Sequence, residues 1–329
     1  MSSATLTVGR PAQGAGDGAI VARQLSKRYG TPSKGTDALR DVDLTIPEGR
    51  IYGLIGRNGA GKTTFVRIAA TQLLPTSGSL TVLGHDVRTE ARTIRLSIAA
   101  VPQESRPLYF LNVDELVFLY LRMRGMERRE ARRRTDSVLE ELSLTPHRKR
   151  LVSMLSGGMR RRAMVAMVLA SDADVIFLDE PTTGLDPFAR REVWASIRRA
   201  KREQRTVLLT THYLDEAEAL SDRLALLDGG VVKLEGTPAD IRERVRYPYR
   251  VSIQGGFTRS ELDPYGEVSG FDGGFLVFAR ERDARELALA ALGRGARVAM
   301  APVSLEDIFL QIVGRPIDEG GTEPEGDAA

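Results

Sequence analysis

Four stretches of this chain carry residue types at spacings that could do phosphate chemistry. The first is Gly56-Arg57-Asn58-Gly59-Ala60-Gly61-Lys62-Thr63, a G-x-x-x-x-G-K-T pattern. An apolar run, Ile51 to Ile55, precedes it and reads as a buried strand; an amphipathic stretch from Thr64 to Ala70 follows and reads as a helix. In that context the glycines let backbone N–H groups converge on an anion without interference from a Cβ. Lys62 would reach the β- and γ-phosphates of a nucleotide, and Thr63 would offer its hydroxyl to Mg²⁺. The dipole of the helix adds only about 0.3–1 kcal/mol at an exposed site, so lysine and metal must do most of the holding. The nucleotide-contacting set expected here is Gly56, Asn58, Gly59, Ala60, Gly61, Lys62, Thr63 and Thr64.

The second stretch is Val175-Ile176-Phe177-Leu178-Asp179-Glu180, a buried strand ending in two adjacent carboxylates. Successive strand residues face opposite ways, so the two acids are expected to part company. Asp179 suits the Mg²⁺ shell, and Glu180 suits a base that orients the attacking water. Taken alone the pair could equally be a solvated acidic turn; beside a phosphate loop the catalytic reading prevails. The third stretch, Leu155-Ser156-Gly157-Gly158-Met159 at a helix start, has one reactive group, the Ser156 hydroxyl. It reads either as a second anion-binding helix N-terminus or as an ordinary N-capped helix. The fourth, Thr210-Thr211-His212, follows an apolar run and so falls at the C-terminal sheet edge, where ligands of α/β folds sit. That places His212 beside the strand that carries Glu180. No Asn-Lys-x-Asp occurs, which counts against a GTPase.

The elements that must position these groups alternate along the chain. Residues 1–17 read as a disordered tail. Ala19 to Ala22 and Val42 to Ile46 suggest antiparallel strands, with Lys27-Arg28-Tyr29-Gly30 and a polar loop, Thr31 to Thr36, between them. Ser79 to Leu83 is a further short strand. Residues 88–170 become helix-rich, with Asn112 capping a helix from Val113 to Met123, a charged helix from Glu127 to Leu142, and the apolar helix that ends at Ala170. Continuous apolar runs at Val175 to Leu178 and Val207 to Leu209 read as parallel strands covered on both faces. Amphipathic helices are expected at Arg190 to Gln204 and Asp215 to Leu220, and a hairpin turning at Asp228-Gly229-Gly230. Residues 18–246 thus form one α/β domain with a helical insertion at about 88–170. After Tyr247-Pro248, residues 247–316 read as a small α+β unit. Its strands are expected at Tyr249–Ile253, Phe275–Phe278 and Arg297–Ala301, with a helix from Arg282 to Leu292 and a capped last helix starting at Ser304. Residues 317–329 read as a second disordered tail.

Whole-chain properties narrow the class. At 329 residues and a net charge of +3, the chain can bury a large core and presents no overall field for nucleic acid. Arginine dominates the basic side, with runs at Arg132–Arg134, Arg160–Arg162 and Arg198–Arg199 that read as solvated helix faces interspersed with glutamates. The chain contains no cysteine, which excludes disulfides, zinc thiolates and thiol catalysis. Its longest strongly apolar run, Ala163 to Ala170, is far short of the ~20 residues of a membrane span, and the N-terminus carries no apolar signal core. A cytoplasmic location is expected unless a partner holds the chain at a membrane.

Together these motifs resemble the nucleotide-binding subunit of an ABC transporter, across most of residues 20–240. Gly56–Thr63 is similar to Walker A, Val175–Glu180 to Walker B with its catalytic glutamate, and Leu155–Met159 to the ABC signature. Gly184-Leu185-Asp186 resembles the D-loop, Gln103 the Q-loop and His212 the switch histidine; Tyr29 stands where the family stacks an aromatic on adenine. The signature carries Met159 where glutamine is common. Leu-Ser-Gly-Gly-Met followed by basic residues, and the ending Pro302-Val303-Ser304-Leu305-Glu306-Asp307-Ile308-Phe309, resemble ABC-2-type exporters, including drug-resistance ATPases. The resemblance implies an α/β fold: a P-loop NTPase core with a mixed sheet, an antiparallel β subdomain and a helical insertion, plus the small C-terminal α+β domain. It implies ATP and Mg²⁺ as ligands, with Thr63, Gln103 and Asp179 toward the metal and Ser156, Gly157, Gly158 and Asp186 toward the nucleotide of a second copy. Two copies would close head to tail on ATP and power export through a separate membrane permease at the inner face of the cell membrane. Tyr109, Phe110, Phe118 and Tyr120 lie where the family docks its permease; they read equally as subdomain core. Other readings are the energising subunit of an importer, a soluble ABC-type ATPase acting on ribosomes or DNA, and a regulatory subunit without turnover, against which Glu180 and His212 argue.

Overall fold

The computed structural model describes residues 18–31, 34–101, 110–243, 246–271 and 273–313; both expected tails, Gln103 and Tyr109 lie outside them. β1 (Ile20–Tyr29) pairs antiparallel with β2 (Thr36–Ile46), from Ile20 opposite Ile46 to Tyr29 opposite Thr36. Lys27 to Tyr29 therefore continue the strand. The apolar run stops early because the strand bulges: Gln24 has a φ of 46° and the register shifts between Ala22 and Leu25. β3 (Ile51–Ile55), buried throughout, feeds residues 56–61 and then α1 (Lys62–Ala69), which turns Phe65, Val66, Ile68 and Ala69 inward. β4 (Ser77–Val82) and β5 (His85–Asp86) complete an antiparallel sheet in the order β2-β1-β4-β5.

α2 (Ala91–Ser97) runs straight into β6 (Ile98–Val101), a strand unforeseen within the helix-rich stretch. Four residues with no turn before them carry no local signal; pairing of Ile98 with Val175 and of Val101 with Leu178 makes the strand. α3 (Val113–Met123) opens on a capping box in which Glu115 N–H donates to Asn112 at 2.9 Å and Asn112 N–H donates to Glu115 at 3.0 Å. A cap of this kind contributes ~1 kcal/mol. α4 (Arg128–Glu141) and α5 (Gly157–Leu169) pack with α3 through Val117, Leu121, Ala131, Leu139, Ala163 and Val165.

β7 (Val175–Asp179), α6 (Pro187–Arg202), β8 (Thr206–Thr211), α7 (Leu214–Leu220), β9 (Arg223–Asp228) and β10 (Val231–Gly236) complete a second sheet, ordered β10-β9-β3-β8-β7-β6. It is parallel except for β10. Alternation along β7 sends Ile176 and Leu178 to the helical insertion, and Val175 and Phe177 to α1 and the antiparallel sheet. Both faces are covered, hence the continuous apolar runs. Ile55 lies opposite Thr211 and Asp179 opposite Thr210, so β3, β7 and β8 end together. The residues that follow each strand are thereby gathered at one edge of the sheet.

After α8 (Pro238–Glu243) come β11 (Tyr249–Gln254), α9 (Arg259–Leu262), β12 (Gly266–Phe271), β13 (Gly274–Ala279), α10 (Glu281–Gly293), β14 (Arg297–Pro302) and α11 (Leu305–Val313). The strands form an antiparallel sheet, β12-β13-β11-β14, whose Val251, Ile253 and Val277 pack on Ala284, Leu287 and Ala291 of α10. β12 and α9 were not anticipated; β12 buries only Val268, so it offers no alternation to read. Ser304 caps α11, accepting from Asp307 N–H at 3.2 Å while its own N–H donates to Asp307 at 2.7 Å. Phe278, Leu305, Ile308 and Phe309 join Ile55, Ala217, Leu224 and Ile241 in one apolar cluster, which ties this unit to the main domain. Among the described residues no helix is long and apolar enough to cross a membrane.

Candidate functional site

The loop between β3 and α1 is shaped by its glycines. A Cβ on Gly61, where φ is 106°, would lie 2.3 Å from the carbonyl oxygen of Ala38. At Gly56 a Cβ would lie 2.2 Å from that of Leu227, so neither position accepts another residue. Ala60 N–H donates back to Arg57 O at 3.1 Å, and Gly230 N–H donates to Ala60 O at 3.1 Å, which curls and anchors the loop. Asn58 and Gly59 stand exposed at its rim. Lys62 is buried and donates to Gly56 O at 2.7 Å and Arg57 O at 3.0 Å. Burial pulls its ammonium below the usual lysine range, opposed by the charges of Glu180 and Asp179. Thr63 and Thr64 occupy the first turn of α1, with Thr64 Oγ1 3.4 Å from the Tyr29 hydroxyl. The Tyr29 ring is 39% exposed and offers an aromatic face beside the loop.

Asp179, the last residue of β7, is buried and accepts a hydrogen bond from the Thr210 hydroxyl. Glu180 lies past the strand, with a φ of 51° in the left-handed region. This turn separates the two carboxylates, where strand alternation was the expected reason. A non-glycine residue held there costs ~1–3 kcal/mol and persists only if its surroundings impose it. The surroundings are specific: Glu180 N–H donates to both the carbonyl and the hydroxyl of Thr210, each at 3.1 Å. Arg161 of α5 donates through Nη2 to the Asp179 carbonyl and, at 2.7 Å, to the Glu180 carbonyl, with Nε adding a bond of 3.2 Å to the latter. Glu180 Oε1 lies 3.3 Å from Nδ1 of His212, at ion-pair distance but out of hydrogen-bond alignment. The adjacent imidazole, outweighing burial and helped by Lys62, holds the Glu180 carboxyl below the usual carboxylate range. The group is therefore ionised at neutral pH, as a general base must be.

Ser156 caps α5, accepting from Met159 N–H at 3.2 Å. A Cβ on Gly157 would meet nothing within 4 Å, whereas one on Gly158 would lie 3.1 Å from Gly184 O and 3.2 Å from Leu185 Cδ2. The signature glycines thus differ: one is open, the other packs on the segment before α6. Asp186 caps α6, accepting from Phe188 N–H at 3.0 Å and Ala189 N–H at 2.9 Å. Its carboxylate is engaged within its own helix. Lys62, Asp179, Glu180 and His212 converge, with Tyr29 alongside; Gln103 lies outside the described residues.

The arginine run 160–162 departs from a solvated face. Arg161 is half-buried against the end of β7, and Arg162 donates to Glu192 and to Leu142 O, both at 3.2 Å, because these positions of α5 turn toward the sheet edge and α6. Of the aromatics, Phe110 is 72% exposed, whereas Phe118 and Tyr120 pack partly into the core under Arg132 and Arg124. Sequence reasoning assigned no role to Arg161, Thr210, Thr182, Trp194 or Glu216. Glu216 is fully buried; its Oε1 accepts from Thr182 Oγ1 at 2.8 Å and Trp194 Nε1 at 2.9 Å, which joins α7, following His212, to the segment following Glu180. Burial pushes its carboxyl above the usual range despite these bonds. The one signal available was its place on the same helical face as Ala217 and Leu220.

The family described as ABC transporter matches residues 39–183. Daunorubicin/doxorubicin resistance ATP-binding protein DrrA of Streptomyces peucetius is 35% identical over 302 residues, covering 88% of this chain and 92% of that one. Nod factor export ATP-binding protein I of Rhizobium etli is 35% identical over 305 residues, covering 92% of this chain and 95% of its own. Among solved structures, the dimeric post-hydrolysis state of the ATP-binding cassette MJ0796 bound to ADP and Pi superposes with a TM-score of 0.62 at 26% identity, covering 66% of this chain and 98% of that one. The fold, the convergence of residues at the sheet edge and these relatives agree: the chain belongs to the ABC transporter family, as an ATP-binding and ATP-hydrolysing subunit.

Proposed function

We propose that this chain powers export through a separate membrane permease, and that two copies close head to tail around ATP to do so. The observation that carries the catalytic part is the convergence of Lys62, Asp179, Glu180 and His212 at the ends of three parallel strands. Relatives whose names specify drug resistance and Nod factor export support the direction of transport, and the dimeric solved cassette supports the two-chain arrangement. The partners are thus a permease, which fixes the chain on the inner face of the membrane, and a second copy. The domain limits that go with this reading are 18–246 for the ATPase and 247–316 for the accessory unit.

In each site the loop 56–63 would cradle the phosphates, Lys62 leaving the carbonyls of Gly56 and Arg57 for the β- and γ-phosphates. Tyr29 would stack on adenine. Glu180 would hold and deprotonate the attacking water, and His212 would fix the orientation of Glu180 and bond the γ-phosphate. The donors suited to Mg²⁺ are the Thr63 hydroxyl and the Asp179 carboxylate, with Gln103 as a third; hard oxygen ligands fit this ion, which keeps sites for phosphate and water. When bound, it neutralises developing phosphate charge. Ser156, Gly157 and Gly158 would complete the partner's nucleotide site, with Asp186 at the seam. Because that half-site contributes only when γ-phosphate is present, ATP favours the closed pair and hydrolysis releases it.

Glu180→Gln tests this directly. The variant is expected to bind ATP, to hydrolyse it at least about 10²-fold more slowly and to run as a dimer on gel filtration with ATP. A variant that remains monomeric with ATP refutes the two-chain site.

A further inference from the structure

Arg161 connects two groups that a head-to-tail pair assigns to different nucleotides. It lies five residues beyond Ser156, on the helix whose N-terminus would meet the partner's ATP. Its guanidinium reaches the other way, to the carbonyls of Asp179 and Glu180. β8 holds the left-handed Glu180 from the sheet side through Thr210, and Arg161 holds it from the helix side. The approach of Gly158 to Gly184 and Leu185 is a second link between the same helix and the segment after Glu180.

We propose that Arg161 is a positioning residue through which α5 sets the backbone of Glu180, so that engagement of Ser156–Gly158 with the partner's nucleotide adjusts the attacking carboxylate of this chain's own site. This rests on the two-chain reading above and adds a route between its two sites. A guanidinium suits the task because its planar fork fixes the direction of several donors, Nη2 bonding both carbonyls while Nε adds a second bond to that of Glu180, whereas the ammonium of a lysine is a compact charge on a flexible stem. Burial lowers the Arg161 pKa while Asp179, Glu180 and Glu216 oppose it, so the cation sits among carboxylates that retain it.

The test uses Arg161→Gln and Arg161→Lys in the full-length chain, with ATP hydrolysis measured against ATP concentration, ATP binding by equilibrium dialysis, and thermal melting. Wild type is expected to hydrolyse with a Hill coefficient above unity. R161Q is expected to lower kcat by roughly tenfold or more and bring the Hill coefficient to unity, with ATP affinity within about twofold of wild type. R161K should fall between the two, and it carries the test if R161Q does not fold. In the E180Q background, R161Q should still dimerise with ATP. Unchanged kcat and Hill coefficient in both variants overturn the proposal, as does a loss of kcat matched by equal losses of ATP binding and melting temperature. If E180Q alone stays monomeric, the two-chain reading and this proposal fall together; if E180Q dimerises while R161Q hydrolyses normally, this proposal falls alone.

Discussion

Replacing Glu216 reads out the buried link between the His212 and Glu180 segments. In Glu216→Ala, the Thr182 hydroxyl and the Trp194 indole lose their acceptor. Thr182 is fully buried, so water cannot replace the bond there. An unsatisfied buried donor costs ~1–3 kcal/mol, which sets the expected loss from Thr182, with the half-buried Trp194 indole adding less. Trp194 is the single tryptophan of the chain, so its fluorescence follows both the local environment and denaturant unfolding. The expected signature is a lower midpoint with an unchanged slope. Glu216→Gln keeps a carbonyl acceptor and the shape, and is expected to cost under ~1 kcal/mol near neutral pH. The pair also differs in pH response. Because burial raises the Glu216 pKa above its ordinary 4.5, the folded chain keeps a proton that the unfolded chain has released above that pH. Wild-type stability is therefore fullest below the ordinary value and declines toward the raised one, by up to about 1.4 kcal/mol per pH unit relative to E216Q. Equal stability of E216A and wild type, or a gap between wild type and E216Q that stays constant as the pH rises above the ordinary 4.5, would refute the raised carboxyl.

Two further substitutions probe the carboxylates. Thr210→Val keeps the shape but removes the hydroxyl shared by Asp179 and the Glu180 N–H; it should lower stability by ~1–3 kcal/mol in a thermal melt and reduce hydrolysis more than ATP binding. His212→Ala should cut hydrolysis about 10²-fold with ATP binding retained. Since the imidazole is the foremost cause of the low Glu180 pKa, its loss should also move the acid limb of residual activity to higher pH; an unmoved limb contradicts that coupling.

The sequence alone determined most features with a short-range cause, the Thr258 cap of α9 excepted. The glycines of 56–61 are legible because no other residue fits the backbone there, the Asn112 and Ser304 caps because their partners lie three residues away, and β3, β7 and β8 because burial on both faces leaves continuous apolar runs. These were sufficient to mark the 56–63 loop, the adjacent carboxylates Asp179 and Glu180, and His212 as candidates. Tertiary structure decided what depends on pairing between distant segments. β6 is a strand only because β7 accepts it, and the bulge at Gln24 conceals a strand that pairing continues to Tyr29. Phe110 differs from Phe118 and Tyr120 through packing that no local pattern encodes. Arg161 and Glu216 show the same limit at the site itself: an arginine within a basic run and a carboxylate within an acidic helix look solvated in sequence. Each becomes specific only when the fold closes off water and leaves a defined partner, two carbonyls for the one and two donors for the other.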